Sequence, residues 1–354
     1  MIKRKKTKKV WVGEVPVGGG APVSVQSMTK TDTRDVSSTI RQIRKLEKAG
    51  CEIIRVAVPD MKAVSGLPKI KKAIKIPLVA DIHFDYRLAL KAIDAGVDKL
   101  RINPGNIGEK WKIREIVKAA KERKTPIRVG VNAGSLPRDL LKKHKKAKPS
   151  VLVEAALRQV RMLEDLSFND IVISLKAFDV PTTVEAYKLI SKKTTYPLHL
   201  GITEAGLPQA GSVRSALGIG MLLASGIGDT IRVSLTSDPV EEVRVGYEIL
   251  KSLNLREHGP TIISCHTFGR CEIDIISMTK KVERKVGNIQ APLKIAVMGC
   301  VVNGPGEARD ADVGIAGGKG YGLLFRKGKI IGKVKEKNLV DALLDVVHDL
   351  VKVA

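Results

Sequence analysis

Aromatic side chains are scarce in this sequence, since phenylalanine, tryptophan and tyrosine together account for 3% of the 354 residues. Aliphatic residues must therefore build most of the core, because hydrophobic residues of all kinds still reach 44%. A core of that kind suits parallel strands that are buried on both faces. Long apolar runs are also lacking, and none reaches the ~18–20 residues that a transmembrane helix needs. We expect a folded protein without a membrane span.

The N-terminal segment MIKRKKTKK lacks the apolar stretch of a secretory signal, which predicts a cytoplasmic protein. Cysteine is rare, with four residues in the chain. In a reducing compartment these thiols are not expected to form structural disulfides, and they are better interpreted as core residues, metal ligands or redox groups.

Acidic residues are outnumbered, with 37 Asp and Glu against 62 Lys and Arg, which gives a formal charge of +25. Such a charge attracts polyanions of every kind. The basic residues are spread over helices and loops, and neither a nucleic-acid-binding motif nor a pattern of stacking aromatics is visible. We therefore expect an anionic small substrate and an acidic electron-donor protein, with nucleic-acid binding as an alternative.

Eight short β-type runs recur along the first 250 residues, and helical patterns of period near 3.6 lie between most of them. This repetition predicts an α/β fold, a closed (β/α)₈ barrel of the TIM type, whose active site lies at the carboxyl ends of the strands. The runs comprise residues 23–28, 52–58, 78–82, 99–103, 127–131, 171–175, 198–202 and 230–235.

The composition of the sequence changes near Leu255, where residues 256–260 resemble a linker. We expect residues 1–256 to form the substrate-binding barrel and residues 257–354 to form a smaller α+β domain. Within the second domain, the glycine-rich stretch 303–322 predicts loops around a site. Residues 323–334 predict a hairpin, and residues 340–351 predict a closing amphipathic helix.

Four arginines each lie between two large aliphatic residues of a predicted strand. If the aliphatic neighbours pack under helices, the arginines must point into the interior, because successive side chains of a strand face opposite ways. Converging guanidiniums of this kind indicate a multiply charged anion. The alternative is four unrelated ion pairs with core carboxylates. The arginines are Arg55, Arg101, Arg128 and Arg232.

Polar residues follow several predicted strands and would surround the mouth of the barrel. Asp81 and His83 lie two apart on one strand face and could hold a proton or a substrate hydroxyl, although a lone histidine is often structural. Glu204 lies among cations, where it could act as a general acid or form an ion pair. The whole set is Gln26, Ser27, Asp81, His83, Asn103, Asn132, Lys176, Thr203, Glu204 and Ser234.

Three cysteines of the second domain, Cys265, Cys271 and Cys300, lie near strand ends with glycine-rich turns around them. Soft thiolates in that setting suit an iron–sulfur cluster or zinc. Their spacing matches no standard zinc pattern, and three buried free cysteines are the alternative. Cys51, at the start of a barrel strand, is interpreted as core packing.

Five ordered motifs extend this picture: VQSMT at 25–29, ADIHF at 80–84, RINPGNIG at 101–108, RVGVNAGSL at 128–136 and VMGCVVNGPGEA at 297–308. From about Lys9 to the C-terminus the chain resembles the 4-hydroxy-3-methylbut-2-en-1-yl diphosphate synthase family, in its bacterial two-domain form. The resemblance implies a barrel that binds 2-C-methyl-D-erythritol 2,4-cyclodiphosphate and a C-terminal domain with a 4Fe–4S cluster. It also implies two electrons from reduced flavodoxin or ferredoxin, and a homodimer in which one subunit's cluster domain caps the other's barrel.

The resemblance implies roles for individual residues as well. A first set of residues would bind the diphosphate through cations and two hydrogen-bond donors. A second set would lie near the sugar-derived hydroxyls, and Glu204 would donate a proton. The first set is Arg55, Arg101, Arg128, Arg232 and Lys176 with Asn132 and Ser234, and the second is Asp81, His83 and Thr203.

Two positions depart from the family pattern. The family binds its cluster through three cysteines and a glutamate, with the first two cysteines in C-P-x-C-G-R, and here Phe268 takes the place of the second. Cys265, Cys300 and Glu307 carry over, and our hypothesis is that Cys271 replaces the missing ligand. Lys30 stands where the family usually has asparagine, and either adds charge at the mouth or faces solvent. A cluster-free barrel enzyme acting on a phosphorylated small molecule remains an alternative.

Overall fold

The computed structural model of the protein describes residues 2–136, 139–140, 148–266, 271–287, 289–300, 306 and 308–353. The chain divides into two compact units, Met1–Arg256 and Glu257–Ala354. Over the described ranges, no helix has both the length and the apolar character to cross a membrane.

The first unit is built around eight parallel strands, as the repetition of β-type runs predicted. They pair in the order β8-β7-β6-β5-β4-β3-β10-β9, and a parallel bridge between Ile173 and Leu198 joins β8 to the segment that leads into β9. The (β/α)₈ barrel is therefore confirmed. The strands are β3 (Ser24–Met28), β4 (Ile53–Ala57), β5 (Leu78–Asp81), β6 (Lys99–Ile102), β7 (Ile127–Asn132), β8 (Ile171–Lys176), β9 (His199–Leu200) and β10 (Thr230–Ile231).

Helices surround the barrel and bury aliphatic faces against the strands. Asp35, Asp60 and Asp179 accept hydrogen bonds from backbone N–H groups at the helix starts, which satisfies donors that have no partner within the helix. The helices span Val36–Lys48, Met61–Ala73, Tyr86–Asp94, Pro104–Ile107, Lys110–Glu122, Pro149–Glu164, Val180–Ser191, Pro208–Ala224 and Pro239–Ser252.

A short N-terminal hairpin, β1 (Val10–Val12) and β2 (Val15–Val17), precedes the barrel and was not expected from the sequence. Its Val12 and Val17 pack in one buried cluster with Ile53 and Val79. These two residues lie at the starts of β4 and β5 and share a strand face with the inward-pointing Arg55 and Asp81. The hairpin therefore packs against the amino end of the barrel interior.

The second unit is a five-stranded sheet in the order β11-β12-β13-β14-β15, with β11 to β13 parallel and the last two pairs antiparallel. The predicted hairpin and closing helix are present, the latter as Leu339–Val353. The strands are β11 (Thr261–Ser264), β12 (Lys294–Met298), β13 (Val313–Gly318), β14 (Tyr321–Arg326) and β15 (Lys329–Lys335), and a further helix of the described residues is Ile275–Val286.

The expectation of loops throughout the glycine-rich stretch 303–322 is wrong for β13, which is the central strand of this sheet. The glycines of β13 allow close packing in the sheet and do not form a loop. A Cβ at Gly317 would lie 2.5 Å from the Ile273 side chain, so a larger residue would displace that side chain. The absence of side chains therefore lets β13 approach its neighbours closely.

Candidate functional site

The four arginines of the aliphatic pattern turn toward the barrel interior. Arg55, Arg101 and Arg128 are buried, and Arg232 lies just past the end of β10 with its side chain mostly covered. Arg101 and Arg128 are direct register partners on β6 and β7. Strand alternation thus places these guanidiniums inside one barrel, and the register brings two of them side by side.

Asp81 is shared by two of these arginines. Its Oδ1 lies 3.0 Å from Arg101 Nη1, and its Oδ2 lies 3.8 Å from Arg55 Nε. Arg101 Nη1 also lies 2.9 Å from His83 Nε2, in an arrangement where the guanidinium donates. Burial opposes ionisation of Asp81, but Arg55, the neighbouring His83 and Arg101 outweigh it, so the pKa of this carboxyl is well below its usual range.

A second carboxylate, Glu242, is also shared by two cations. Its Oε2 lies 3.8 Å from Arg232 Nη2, and its Oε1 lies 3.1 Å from Lys30 Nζ. Lys30 Nζ donates to the carbonyl oxygens of Leu235 and Ser237 as well. Lys30 is exposed, but it adds charge near this site and is tied to the loop after β10, which favours the first of its two interpretations.

Positive charge exceeds negative charge inside the barrel. Lys99 and Lys176 are buried there beside the four arginines, whereas Asp81 and Glu242 are the acidic groups of the described residues that form ion pairs with these cations. Within the described part of the chain, Arg128 has no carboxylate partner, and its Nε and Nη1 lack any hydrogen bond. The alternative of four separate ion pairs with core carboxylates is therefore found only in part. Three of the arginines form ion pairs, and they do so with two carboxylates.

Burial disfavours the charged form of these basic side chains. Desolvation lowers the pKa of Arg55 to about 9, although Asp81 partly counteracts it. Burial also lowers the pKa of Lys176 well below its ordinary value, and the neighbouring arginines, led by Arg232, lower it further. A polyanion placed among these groups would relieve both effects, since an opposite charge favours the charged form.

Most of the other predicted site residues lie at the carboxyl ends of the strands. Gln26 was expected at the mouth as well, but it lies in the middle of β3, paired with the first residue of β4, Ile53. Asn132 ends β7 opposite Lys176, which ends β8. Thr203 and Ser234 are partly buried in the segments that follow β9 and β10. The strand ends bring these polar groups to the same rim of the barrel as His83, which is exposed.

Glu204 is exposed and has a strained backbone, with φ of 54°. A residue other than glycine in this region is uncommon and costs roughly 1–3 kcal/mol. The next turn is held by a 2.6 Å hydrogen bond from Arg214 Nη1 to the carbonyl oxygen of Ala205. The chain thus presents an exposed carboxylate in the segment that follows β9.

Three interior residues with functional potential were missed by the sequence analysis. Lys99 lies two residues before Arg101, so strand alternation alone could have placed it inside the barrel. Glu242 lies on the helix Pro239–Ser252, where its spacing carries no sign that it reaches the interior. His199, also buried inside, was likewise passed over.

In the second unit, two thiols lie against one glycine. The Gly299 amide donates to Cys265 Sγ over 3.1 Å. A Cβ at Gly299 would lie 2.5 Å from Cys271 Sγ and 3.5 Å from Cys265 Sγ. Cys300, next along the chain, is buried. The fold therefore brings Cys271 beside Cys265, although five residues separate them in sequence.

Phe268 and Glu307 lie outside the described residues. Among those that are described, no group of three or more His, Cys, Asp or Glu side chains is arranged as a metal site. All four cysteines are free thiols. Cys51 is fully buried in the barrel core, and burial raises the pKa of its thiol to about 12, as expected of a packing residue.

The fold alone is similar to that of several solved barrels. Dihydropteroate synthase of Yersinia pestis matches with a TM-score of 0.50 and 10% identity over 70% of this chain and 98% of that protein. The 3-dehydroquinate dehydratase of Geobacillus kaustophilus matches with a TM-score of 0.50 and 14% identity, over 69% of this chain and 97% of that protein. At these identities the similarity concerns the barrel architecture.

Sequence comparison is far more specific. Residues 7–247 match the model of the GcpE TIM-barrel domain, and residues 261–349 match that of the GcpE protein C-terminal domain. A protein of Thermodesulfovibrio yellowstonii, named 4-hydroxy-3-methylbut-2-en-1-yl diphosphate synthase (flavodoxin), is 61% identical over 98% of this chain and 100% of its own length. One of Clostridium perfringens with the same name is 58% identical over 99% of this chain and 100% of its own length. The chain therefore belongs to the GcpE family.

Proposed function

We propose that this protein is a 4-hydroxy-3-methylbut-2-en-1-yl diphosphate synthase, which reduces 2-C-methyl-D-erythritol 2,4-cyclodiphosphate with electrons from flavodoxin or ferredoxin. The observation that supports it most is the excess of buried cations in the barrel. Arg55 and Arg101 share Asp81, and Arg232 shares Glu242 with Lys30. Arg128 and Lys176 have no ion pair with a carboxylate among the described residues, so a diphosphate is the counter-charge that these cations lack. Guanidinium groups suit this role because they bind phosphate oxygens in a bidentate manner.

Two neighbouring groups complete the proposed diphosphate site. Asn132 and Ser234 donate hydrogen bonds from the rim, beyond the level of the arginines. Asp81 holds Arg55 and Arg101 in place through the 3.8 Å and 3.0 Å contacts. The ring phosphates therefore meet cations whose positions are already set, which reduces the entropy lost on binding.

The reacting carbon atoms lie toward the rim in this proposal. Thr203, His83 and Asp81 contact the sugar-derived hydroxyls, and Glu204 protonates the departing hydroxyl. Two electrons and one proton break the carbon–oxygen bond that closes the ring and the neighbouring carbon–hydroxyl bond. A carbon–carbon double bond forms between the two carbons, the diphosphate keeps the ring oxygen, and the hydroxyl leaves as water. Glu204 is suited to this task because its strained backbone directs a carboxyl to the rim.

The second unit would hold a 4Fe–4S cluster through Cys265, Cys271, Cys300 and Glu307. The free thiols beside Gly299 have the chemistry that this group requires. When bound, the cluster supplies electrons one at a time to the substrate. Gly299 leaves room for the two sulfurs, and its amide donates a hydrogen bond to Cys265 Sγ.

We further propose a cytoplasmic homodimer in which one subunit's cluster domain closes the partner's barrel. The charge of +25 favours docking of an acidic electron donor, because electrostatic complementarity accelerates encounter. Neither nucleic acid nor a membrane is a partner in this proposal. The four free thiols agree with a reducing compartment.

Anaerobic purification followed by assay with the cyclodiphosphate and reduced flavodoxin tests the function. We expect a brown protein whose broad visible absorbance is bleached by dithionite and which releases the linear diphosphate. A colourless protein that transforms a sugar phosphate without a reductant would instead indicate a cluster-free barrel enzyme. Steep salt-dependent binding to random nucleic acid, without turnover, would indicate a nucleic-acid-binding protein.

The ligand role of Cys271 is tested separately by Cys271→Ser, with Cys51→Ala as the control that removes a thiol from the barrel core. We expect iron per chain to fall and the electron paramagnetic resonance spectrum to change in Cys271→Ser, and both to be unchanged in Cys51→Ala. Unchanged iron content and spectrum in Cys271→Ser would refute this ligand while leaving the proposed reaction intact.

A further inference from the structure

A second set of polar side chains lies beneath the arginines, near the amino ends of the barrel strands. We call it the lower polar layer. Its members are fully or almost fully buried, and the proposed reaction uses none of them. The layer consists of Ser24, Gln26, Lys99, His199 and Thr230.

The strand registers bring this layer together. Thr230 pairs with Ser24 on one side and with His199 on the other. Lys99 extends from β6 across the interior, so that its Nζ lies 3.4 Å from the Oε1 of Gln26 on β3. Each residue lies on the strand face that points inward, and the five therefore surround one region.

Several polar atoms of this region have no partner within the described residues. They are Ser24 Oγ, Gln26 Nε2, both ring nitrogens of His199, Thr230 Oγ1, and Nε and Nη1 of Arg128 just above. Leaving a buried donor or acceptor unsatisfied costs roughly 1–3 kcal/mol. Such a concentration of unpartnered atoms in one region indicates that something binds there.

The charge of the region specifies the ligand. Lys99 and Arg128 are basic groups, and burial together with neighbouring cations lowers the pKa of each well below its ordinary value. A nearby anion would favour the charged form of both. The carboxylates of Asp81 and Glu242 are each already shared by two other cations. A water molecule would satisfy hydroxyls and amides but would supply no negative charge to these two basic groups.

The neutral groups of the layer are suited to an anion as well. Burial and the nearby cations, Arg128 first, lower the pKa of His199 well below its usual value, so its ring is neutral and offers one N–H. Ser24 and Thr230 can rotate their hydroxyl hydrogens toward an acceptor. The enclosed position, with hydrophobic packing of the N-terminal hairpin at the same end of the barrel, favours a small ion over a polyatomic one.

We propose that the lower polar layer binds one small monovalent anion, chloride, between Lys99 and Arg128. The anion compensates the charge of Lys99 and supports Arg128 from below. It is distinct from the diphosphate, which the arginines meet from the rim. This inference goes beyond the proposed function and does not require it.

Bromide provides the direct test, because it replaces chloride and scatters anomalously. In crystals of the full chain grown without substrate in sodium bromide, we expect an anomalous peak within hydrogen-bond distance of Lys99 Nζ. Density without anomalous signal at that position would mean water and would overturn the proposal. Bromide found only among Arg55, Arg101 and Arg232 would overturn it as well.

Thermal unfolding provides a second test in solution. Ionic strength is kept constant by exchanging sodium gluconate for sodium chloride, and saturating inorganic pyrophosphate occupies the upper cations. Chloride at about ten times its dissociation constant should raise the melting temperature by roughly 3 °C. Loss of the chloride effect in the presence of pyrophosphate would place the anion in the upper site and refute the proposal.

The variant Lys99→Met removes the charge and keeps the length of the side chain. We expect it to abolish the chloride-dependent shift, whereas Lys118→Met, which removes an exposed lysine, should retain the shift of the unaltered chain. A shift of the same size in folded Lys99→Met would contradict the proposal. If Lys99→Met does not fold, the bromide map of the unaltered protein decides.

Discussion

Gly130 provides the space that the Arg101 guanidinium occupies: a Cβ at Gly130 would lie 2.8 Å from Arg101 Nε and 3.1 Å from its Nη2. Both residues point into the barrel from neighbouring strands. A side chain at this position would therefore push Arg101 away from Asp81 and from any bound phosphate.

The variant Gly130→Ala should thus raise KM for the cyclodiphosphate about tenfold or more, because a misplacement of a binding group by about 1 Å can cost up to two orders of magnitude in rate. Steady-state kinetics with reduced flavodoxin measures this. Gly134→Ala is the matched control, since a Cβ there meets no atom within 4 Å. Equal KM values for the two variants would contradict the spatial argument.

Asp81→Asn should weaken both substrate binding and folding. Removing one partner of a buried ion pair costs roughly 3–5 kcal/mol, and here two arginines lose their carboxylate together. Urea denaturation of the metal-free protein measures the stability. The exposed pair is the control: Asp139→Asn, opposite Arg158, should change stability by less than about 1 kcal/mol. Similar losses in both variants would argue against a special role of Asp81.

The pH dependence of anion binding follows from the lowered pKa values of the interior lysines. Lys99 and Lys176 titrate below their ordinary value in the folded protein and near ~10.4 when unfolded. At pH values between the folded-state and the unfolded-state pKa of these lysines, the unfolded chain binds more protons. The stability of the ligand-free protein therefore rises with pH in that range.

A bound anion opposes this trend because it holds the lysines in their protonated form. Sulfate, which does not titrate itself in this range, should therefore raise the melting temperature more at pH 6.5 than at pH 9.5. Lys176→Met should reduce the difference between the two pH values. A sulfate effect that is independent of pH would show that the lysines keep their charge throughout.

Glu204 allows the acid and the backbone strain to be separated. Glu204→Gln keeps the strained residue but removes the acid, and activity should fall by about 10²–10⁴ if this group donates the proton. Glu204→Gly removes the acid and also relieves the strain of the positive φ, so it should be inactive and more stable by about 1 kcal/mol. Near-normal activity in Glu204→Gln would exclude it as the proton donor.

The sequence predicted much of this architecture because strand and helix periods are local properties. Eight aliphatic runs gave the barrel, and the closing helix of the second unit followed from its apolar spacing. The N-terminal hairpin was missed, since its strands of three residues are too short for a periodic signal. The strand Val313–Gly318 was mistaken for loops, because its glycines are required by packing that only the folded sheet creates.

Within the candidate site, alternation along each strand determined that Arg55, Arg101, Arg128 and Arg232 face inward, and the ordered motifs determined the family. Tertiary structure alone decided which acids meet them. Glu242 reaches Arg232 and Lys30 from a helix, and Lys99 reaches Gln26 across the barrel over 3.4 Å. The physical reason is that the period of a strand fixes the face of a side chain, whereas the distance across a closed barrel depends on register and closure, which no local pattern encodes.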